Sequence, residues 1–252
     1  MGEIRKLLER DLYKNINMLY FMEDNLVHDL RRVGNSVILR GESDRKWTFI
    51  SCSDGSDWGL ILAELNDQDR CFAVIEDWIF SRITENRNCA WSLSTLRLVL
   101  PAGSEMCMDR YGNPEAAGWR EETGPVPAYV RPLSEADIPV ILENSEYRDY
   151  ISADYIGMRI ESGPSLGIVI EGFPVGWVLT HDDGAIGFMH IMQKFRKQGY
   201  AKRLMLHMIQ LIRRCGRIPF VHIEETNTAS MALAAKLGFQ RDRLVHWFEI
   251  EA

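Results

Sequence analysis

Arg196-Lys197-Gln198-Gly199-Tyr200-Ala201 stands between an apolar run that ends at Ile191 and an amphipathic stretch that begins at Tyr200. A strand followed by such a helix points first-turn N–H groups, which have no intrahelical carbonyl, at whatever lies in front of them, and adds the positive end of the helix dipole. That is an anion site, and phosphate suits it. Gly199 and Ala201 keep bulk away from a diphosphate, while Arg196, Lys197, Lys202 and Arg203 surround it with positive charge. The expected contacts with such an anion run through Arg196, Lys197, Gln198, Gly199, Tyr200, Ala201 and Lys202. Three titratable groups sit at nearby strand ends: His190, His222 and Glu224. A histidine is the natural proton acceptor near pH 7, and a glutamate becomes one when desolvation raises its pKa. Val221 and Ile223 alternate with His222 and Glu224, so the latter two share a strand face. Each of the three also has an ordinary reading, as a hydrogen-bonded structural histidine or a solvated carboxylate, and at most one is expected to be catalytic.

The elements that must hold these residues follow from periodicity and turn chemistry. In the second half a strand is expected over 129–133, then a helix opened by Ser134 as N-cap and running to about residue 144. Strands over 166–171, 175–180 and 185–191 are joined at Gly172-Phe173-Pro174 and at Asp182-Asp183-Gly184, the latter read as a hairpin turn. A helix over 200–215, a strand over 219–224, a helix over 228–237 capped by Asn227 and a strand over 244–250 complete it. In the first half, apolar residues at helical spacing predict one long helix, or two abutting ones, over 12–33. Strands are expected over 36–39, 47–52 and 58–65, a helix over 71–83 and a closing strand over 91–100. Seven glycines and prolines after Pro101, from Gly103 to Pro127, mark a linker, dividing the chain into units at 1–125 and 126–252. The tryptophans at 58, 78, 91, 177 and 247 are expected in the core.

The chain has 252 residues, 46% of them hydrophobic and 26% charged, the mixture of a globular protein with a real core. A net charge of -7 opposes a general nucleic-acid-binding role. Five scattered cysteines, with no CxxC pair and no metal-ligand spacing, read as reduced thiols, and no metal is expected. No signal-peptide stretch and no membrane-spanning run is evident, so the protein is expected in the cytoplasm and away from membranes.

Arg-x-x-Gly-x-Ala between a strand and a helix resembles the coenzyme A signature of the GNAT superfamily of acyl-CoA N-acyltransferases. Arg131-Pro132-Leu133-Ser134-Glu135-Ala136-Asp137-Ile138 is similar to that family's opening strand and helix. Asn227-Thr228-Ala229-Ser230 with Lys236-Leu237-Gly238-Phe239 is similar to its second CoA-contacting segment, and the resemblance so adds Asn227 and Ser230, with Met189, Ile191 and Met192 at the strand end, to the expected contacts. Gly176-Trp177-Val178 and Pro219-Phe220-Val221-His222 are similar to the glycine N-acyltransferase-like branch. The resemblance implies an α+β fold with a mixed sheet, a GNAT-type second half, and a degenerate GNAT-like first half that has lost CoA binding.

It further implies that acetyl-CoA or another acyl-CoA lies between two splayed parallel strands, here those ending near Ile191 and Glu224. The Ile191 N–H would then polarise the thioester for direct attack by the amine of a small molecule or amino acid. Two departures stand out. Ala234 occupies the position where the family often has a tyrosine acid, and the strand carboxylate expected as base in the glycine branch falls at Ala185, with Asp183 close by. A CoA- or acyl-CoA-binding sensor without turnover is the alternative, and a peptide N-terminus as acceptor would require an open groove. The protein is expected as a monomer or homodimer.

Overall fold

The computed structural model describes residues 2–53, 55–103, 120–121, 128–145 and 151–251. In the first half α1 (Gly2–Glu9) and α2 (Leu12–Asp24) lead into β1 (Leu26–Val33), β2 (Ser36–Glu42) and β3 (Lys46–Ser51). Then come α3 (Trp58–Glu64), β4 (Cys71–Glu76), α4 (Asp77–Thr84) and β5 (Cys89–Val99). The second half holds β6 (Arg120–Glu121), β7 (Ala128–Pro132), α5 (Ile138–Asn144), α6 (Ala153–Ser162), β8 (Ser165–Ile170), β9 (Phe173–Thr180) and β10 (Ile186–Ile191). It ends with α7 (Tyr200–Arg214), β11 (Phe220–Ile223), α8 (Thr228–Lys236) and β12 (Gln240–Ile250). The expected linker lies largely outside the described residues.

The mixed α+β architecture expected from the sequence is present as one twelve-stranded sheet among the described residues, ordered β1-β2-β3-β4-β12-β5-β11-β10-β9-β8-β7-β6. The two halves repeat a plan: three antiparallel strands, a helical crossover to a parallel strand, a second helix, and one long strand. Each long strand then crosses over. β12 lies against β4, with Phe248 opposite Phe72, and β5 lies against β11, with Leu98 opposite Val221. β5 and β12 pair with each other at the centre, from Gln240–Val99 to Ile250–Cys89.

Strand alternation sorts the helices onto two faces. On one face Ile16, Leu19 and Phe21 of α2 pack on Leu39, Phe49, Val99 and Phe220, while α5 and α6 cover Trp177 and Leu179. On the other, α3 and α4 cover Ile38, Ile50, Phe72 and Phe248, and α7 and α8 cover Leu98, Val178, Ile186 and Val221.

Three expectations for the first half are corrected. The helix over 12–33 stops at Asp24, where Asn25 donates its N–H to Phe21 O at 3.0 Å, and Leu26–Val33 is a strand. Its mostly exposed, edge-strand pattern lets Leu26 and Leu30 mimic helical spacing, but the turn at Gly34, with φ 63°, pairs it with β2. The strand over 58–65 is α3, because the parallel neighbours β3 and β4 require a crossover and a short apolar run does not tell strand from helix. The helix over 71–83 is β4 followed by α4, with the break at Glu76. In the second half α6 was not foreseen, and β12 begins four residues before the expected strand.

Arg97 on β5 shows how the halves are held. Its side chain is 1% exposed, and its guanidinium donates to Asp242 Oδ2 at 2.7 Å, Tyr13 O at 2.7 Å, Lys14 O at 3.2 Å and Asn17 Oδ1 at 2.5 Å. One side chain thereby ties β5 to α2 and to β12. Arg97→Ala would take donors from Asn17 Oδ1 and from the Tyr13 and Lys14 carbonyls, while Asp242 keeps Arg243 Nε at 3.0 Å; we expect a loss of about 1–3 kcal/mol, read by urea unfolding.

Candidate functional site

β10 carries the site because it is not a regular strand. Its pairing with β9 slips between Gly187 and His190, with Phe188 at φ 52°, and its pairing with β11 is confined to Ile186–Val221. Beyond that pair the two parallel strands diverge. Met192 N–H donates to Val175 O on β9 at 2.9 Å; because successive N–H groups of an extended strand point to opposite edges, that of Ile191 is directed toward β11, into the gap. Ile191 O faces the same way and accepts from Arg196 Nε at 2.8 Å.

The chain leaves β10 through a single helical turn at Gln193–Phe195 and reaches α7 by two left-handed residues, Lys197 at φ 63° and Gly199 at φ 85°. Glycine suits the second because a β-carbon is strained there. Nothing lies within 4 Å of where a Gly199 β-carbon would be, so the space before the helix is open to a ligand. Within α7 the first N–H with a backbone partner is that of Arg203, to Gly199 O at 3.0 Å. The N–H groups of Tyr200, Ala201 and Lys202 precede any i−4 carbonyl of the helix and face the opening. Arg196, Lys197, Gln198 and Lys202 are exposed around it. Asn227 is the N-cap of α8, its Oδ1 accepting from Ser230 N at 3.1 Å, and both are placed just past the end of β11. Met189 packs against the α7-side core, with Met192 on the opposite face beside α5 and α6.

The three proton-transfer candidates separate. His222 is enclosed, its side chain 8% exposed, with Nε2 at 2.7 Å from Asn17 Nδ2 and 3.4 Å from Asp183 Oδ2, and Nδ1 3.5 Å from Thr95 Oγ1. Burial lowers its pKa, against the opposing pull of Asp183. Glu224 is exposed just past the end of β11. His190 lies on the α5/α6 face, stacked on Trp177 with ring centroids 4.7 Å apart. Trp177 itself is buried, as expected of a core tryptophan. Ala234 is buried in the α7–α8 core and offers no acid.

Sequence reasoning missed a fourth group. His181, which follows β9, lies over the backbone of Gly187, where a β-carbon would fall 2.0 Å from its Nε2; its ring meets that of Phe188 at 4.5 Å. Neither ring nitrogen has a hydrogen-bond partner among the described residues. Burial lowers its pKa to about 4, with Asp183 opposing, so the ring is neutral at pH 7. The adjoining carboxylates are spoken for: Asp183 accepts from Asn17 at 2.6 Å and from Ala185 N at 3.0 Å, and Asp182 from Ser43 Oγ at 2.5 Å and Asp183 N at 3.1 Å. Burial and the neighbouring Asp183 push Asp182 up to about 6. From α6, Tyr155 joins Phe188 with rings 6.0 Å apart, its hydroxyl pKa raised by burial. A histidine directly before an Asp-Asp-Gly turn was the available signal. It was masked by reading the turn as only a turn.

The first half has the same strand divergence, between β3 and β4 beyond Thr48–Phe72, with Val74 at φ 56° in place of Phe188. There the gap is filled. Lys14 Nζ reaches from α2 to Cys52 O at 2.5 Å and Glu76 Oε2 at 3.4 Å, tying the ends of both strands together. At the start of α3 the Asp57 carboxylate, accepting from Asn35 N at 2.8 Å and Ser36 Oγ at 2.9 Å, stands where the second half offers cations.

Residues 165–248 match the family model of FR47-like protein, which covers one third of the chain. No curated protein matches. Among solved structures the chain is similar to a Drosophila protein at 15% identity and TM-score 0.75, covering 99% of this chain and 96% of that one. A GCN5-related N-acetyltransferase from Kribbella flavida superposes at 12% identity and TM-score 0.56, covering 95% of each chain. A tandem GNAT protein from the clavulanic acid biosynthesis pathway superposes at 17% identity and TM-score 0.52, covering 94% and 87%. The fold is that of the GNAT superfamily. Among the described residues no helix is long and apolar enough to cross a membrane, and no cluster of three or more His, Cys, Asp or Glu is placed to hold a metal ion.

Proposed function

We propose that the protein is an acyl-CoA-dependent N-acyltransferase, working in its second half on the primary amine of a small molecule. The observation that carries this reading is the shared edge on which the Ile191 N–H, directed into the gap between β10 and β11, and the open first turn of α7 lie. A diphosphate seated on the N–H groups from Gly199 to Lys202 leaves its pantetheine arm to run into the gap between β10 and β11, as an added strand would. The thioester carbonyl then meets an N–H on β10, which stabilises the oxyanion formed when the amine attacks. The amine's proton goes to a base, the tetrahedral intermediate collapses, and CoA leaves as a thiolate that needs little help from an acid near neutral pH. Acyl-CoA therefore serves as co-substrate, contacted by the residues from Met189 to Lys202 together with Asn227 and Ser230.

His181 is the base in this reading. It is neutral, has free nitrogens, and sits beside the irregular turn of β10 on the face away from α7, where an acceptor can approach the carbonyl from the side opposite the CoA-binding helix. His190 is stacked on Trp177, Glu224 is exposed past the end of β11, and His222 is held in its network. In the measurement, free thiol released from acetyl-CoA is followed over a panel of amines for wild type and for His181→Ala, His190→Ala and Glu224→Gln. His181→Ala is expected to lower kcat by about 10²–10⁴-fold with the KM for acetyl-CoA unchanged. The sign of the pH effect follows from the lowered pKa. His181 is already in its base form above about pH 4, so the acid limb of kcat falls toward 4 rather than at the usual 6.5. If His190→Ala or Glu224→Gln alone removes turnover, the base is reassigned. Ala234 favours one other reading, a sensor that binds acyl-CoA without using it: tight binding with no thiol release for any amine or chain length would establish it.

A further inference from the structure

Arg159 lies in the last turn of α6, 3% exposed, and its Nε and Nη2 have no hydrogen-bond partner among the described residues. Its Nη2 lies against Gly163, beside which Thr180 Oγ1 also closes, and its charge is felt by Tyr155, His181 and Asp182. A buried cation with unfilled donors is costly, and the other buried arginine among the described residues, Arg97, has four acceptors. Asp182 is the nearby carboxylate that could have closed the pair, but its oxygens accept from Ser43 and Asp183 N. Tyr155, one turn before Arg159 on the same helix, packs on Phe188 at the irregular turn of β10, so this helix face lines the side from which the acceptor must come.

We infer that Arg159 is the anion-binding residue of the acceptor site: the amine that this protein acylates carries a carboxylate or phosphate group, which fills the two vacant guanidinium donors while its amino group is presented to His181. This inference rests on the acyltransferase reading. It adds the chemical class of the acceptor, an anion-bearing primary amine, and names a specificity residue that does not touch the reacting atoms. The planar fork of a guanidinium suits both oxyanions.

The experiment pairs charged acceptors with neutral partners of like size: glycine and β-alanine against glycinamide and propylamine, and O-phosphoethanolamine against ethanolamine. Wild type is expected to prefer one anion-bearing series by about 100-fold in kcat/KM, the scale on which a buried polar partner discriminates. Arg159→Met should bring that ratio near one while the rate with the neutral amine and the KM for acetyl-CoA hold within a few-fold, and Arg159→Lys should keep part of the preference. Because the guanidinium donors are vacant, Arg159→Met should melt no lower than wild type; a clearly lower melting temperature would mean that the residue is structural and would overturn the proposal. So would a preference that survives the substitution, or a wild type that favours neutral amines. If no amine gives turnover although acetyl-CoA binds, the acyltransferase reading fails by itself. Tryptophan fluorescence titrated with sodium acetate and sodium phosphate then decides the anion site: saturable binding lost in Arg159→Met upholds it, and no such binding in wild type rejects it.

Discussion

Replacing Gly199 and Ala201 together by glutamate is expected to raise the Kd for acetyl-CoA by more than about 100-fold, with the melting temperature lowered by only a few degrees. Both terms act at the ligand. Gly199 is exposed at φ 85°, with nothing near its absent side chain, so a glutamate there meets strain of only about 1–2 kcal/mol and no clash. The same carboxylates stand before the first turn of α7, where they occupy the diphosphate's place, repel it, and satisfy the N–H groups it would have used. Titration calorimetry reads the loss directly. Gly55→Glu, at the corresponding approach to α3 in the first half, is the matched control and is expected to leave acetyl-CoA affinity unaltered, since Lys14 already fills that half's gap and Asp57 already opposes an anion. An equal loss from Gly55→Glu would mean that the first half binds the co-substrate after all.

A fragment of residues 126–252 made alone is expected not to fold, and to regain structure when a fragment of residues 1–103 is supplied. The reason is the crossing of the long strands. Without β5, β11 loses its antiparallel neighbour from Val99 to Leu96, and β12 is left without partners on either side. Without the second half, β4 and β5 lose the strand that lies between them. A strand with neither neighbour present has no ladder to join, and the apolar faces of Phe248 and Val245 are left in water. Circular dichroism and size-exclusion chromatography of each fragment, then of the mixture, test this. A 126–252 fragment that folds and binds acetyl-CoA alone would show the exchange to be dispensable, and the halves to be separable domains after all.

The second half was legible in the sequence because its elements obey local rules. Ser134 stands at the N-cap as expected, its N–H and its hydroxyl both donating to Asp137 Oδ2, at 2.8 and 3.1 Å, and the glycine-containing loop between β10 and α7 falls where its residues require. The first half was misread wherever an element was short or exposed. Trp58–Glu64 buries only Ile61, so its apolar residues Leu60 and Leu62, 55% and 45% exposed, gave a false strand signal. The exchange of β5 and β12 was invisible for a different reason: each strand's alternation is satisfied equally well by a partner from its own half. The site was legible as far as the diphosphate, whose recognition is local backbone chemistry. The acceptor side was not, because His181 follows β9 while Tyr155 and Arg159 lie on α6, and the two segments meet only through the packing of α6 on β9 and β10.

The position of β12 sets an order of events during synthesis. It follows every other described element in the chain, yet it belongs at the middle of the sheet. A nascent chain that has already emerged through α8 therefore holds a vacant slot between β4 and β5, bordered by two rows of unpaired peptide groups and floored by Phe72 and Leu96. Pairing across such sequence separations is slow, and an open slot of this kind accepts any passing strand, including the β12 of another molecule. The protein's yield on expression should therefore depend on how quickly its final strand is delivered, more than on the stability of the finished fold. Slower translation of residues 240–250 should raise the share recovered as intertwined dimers.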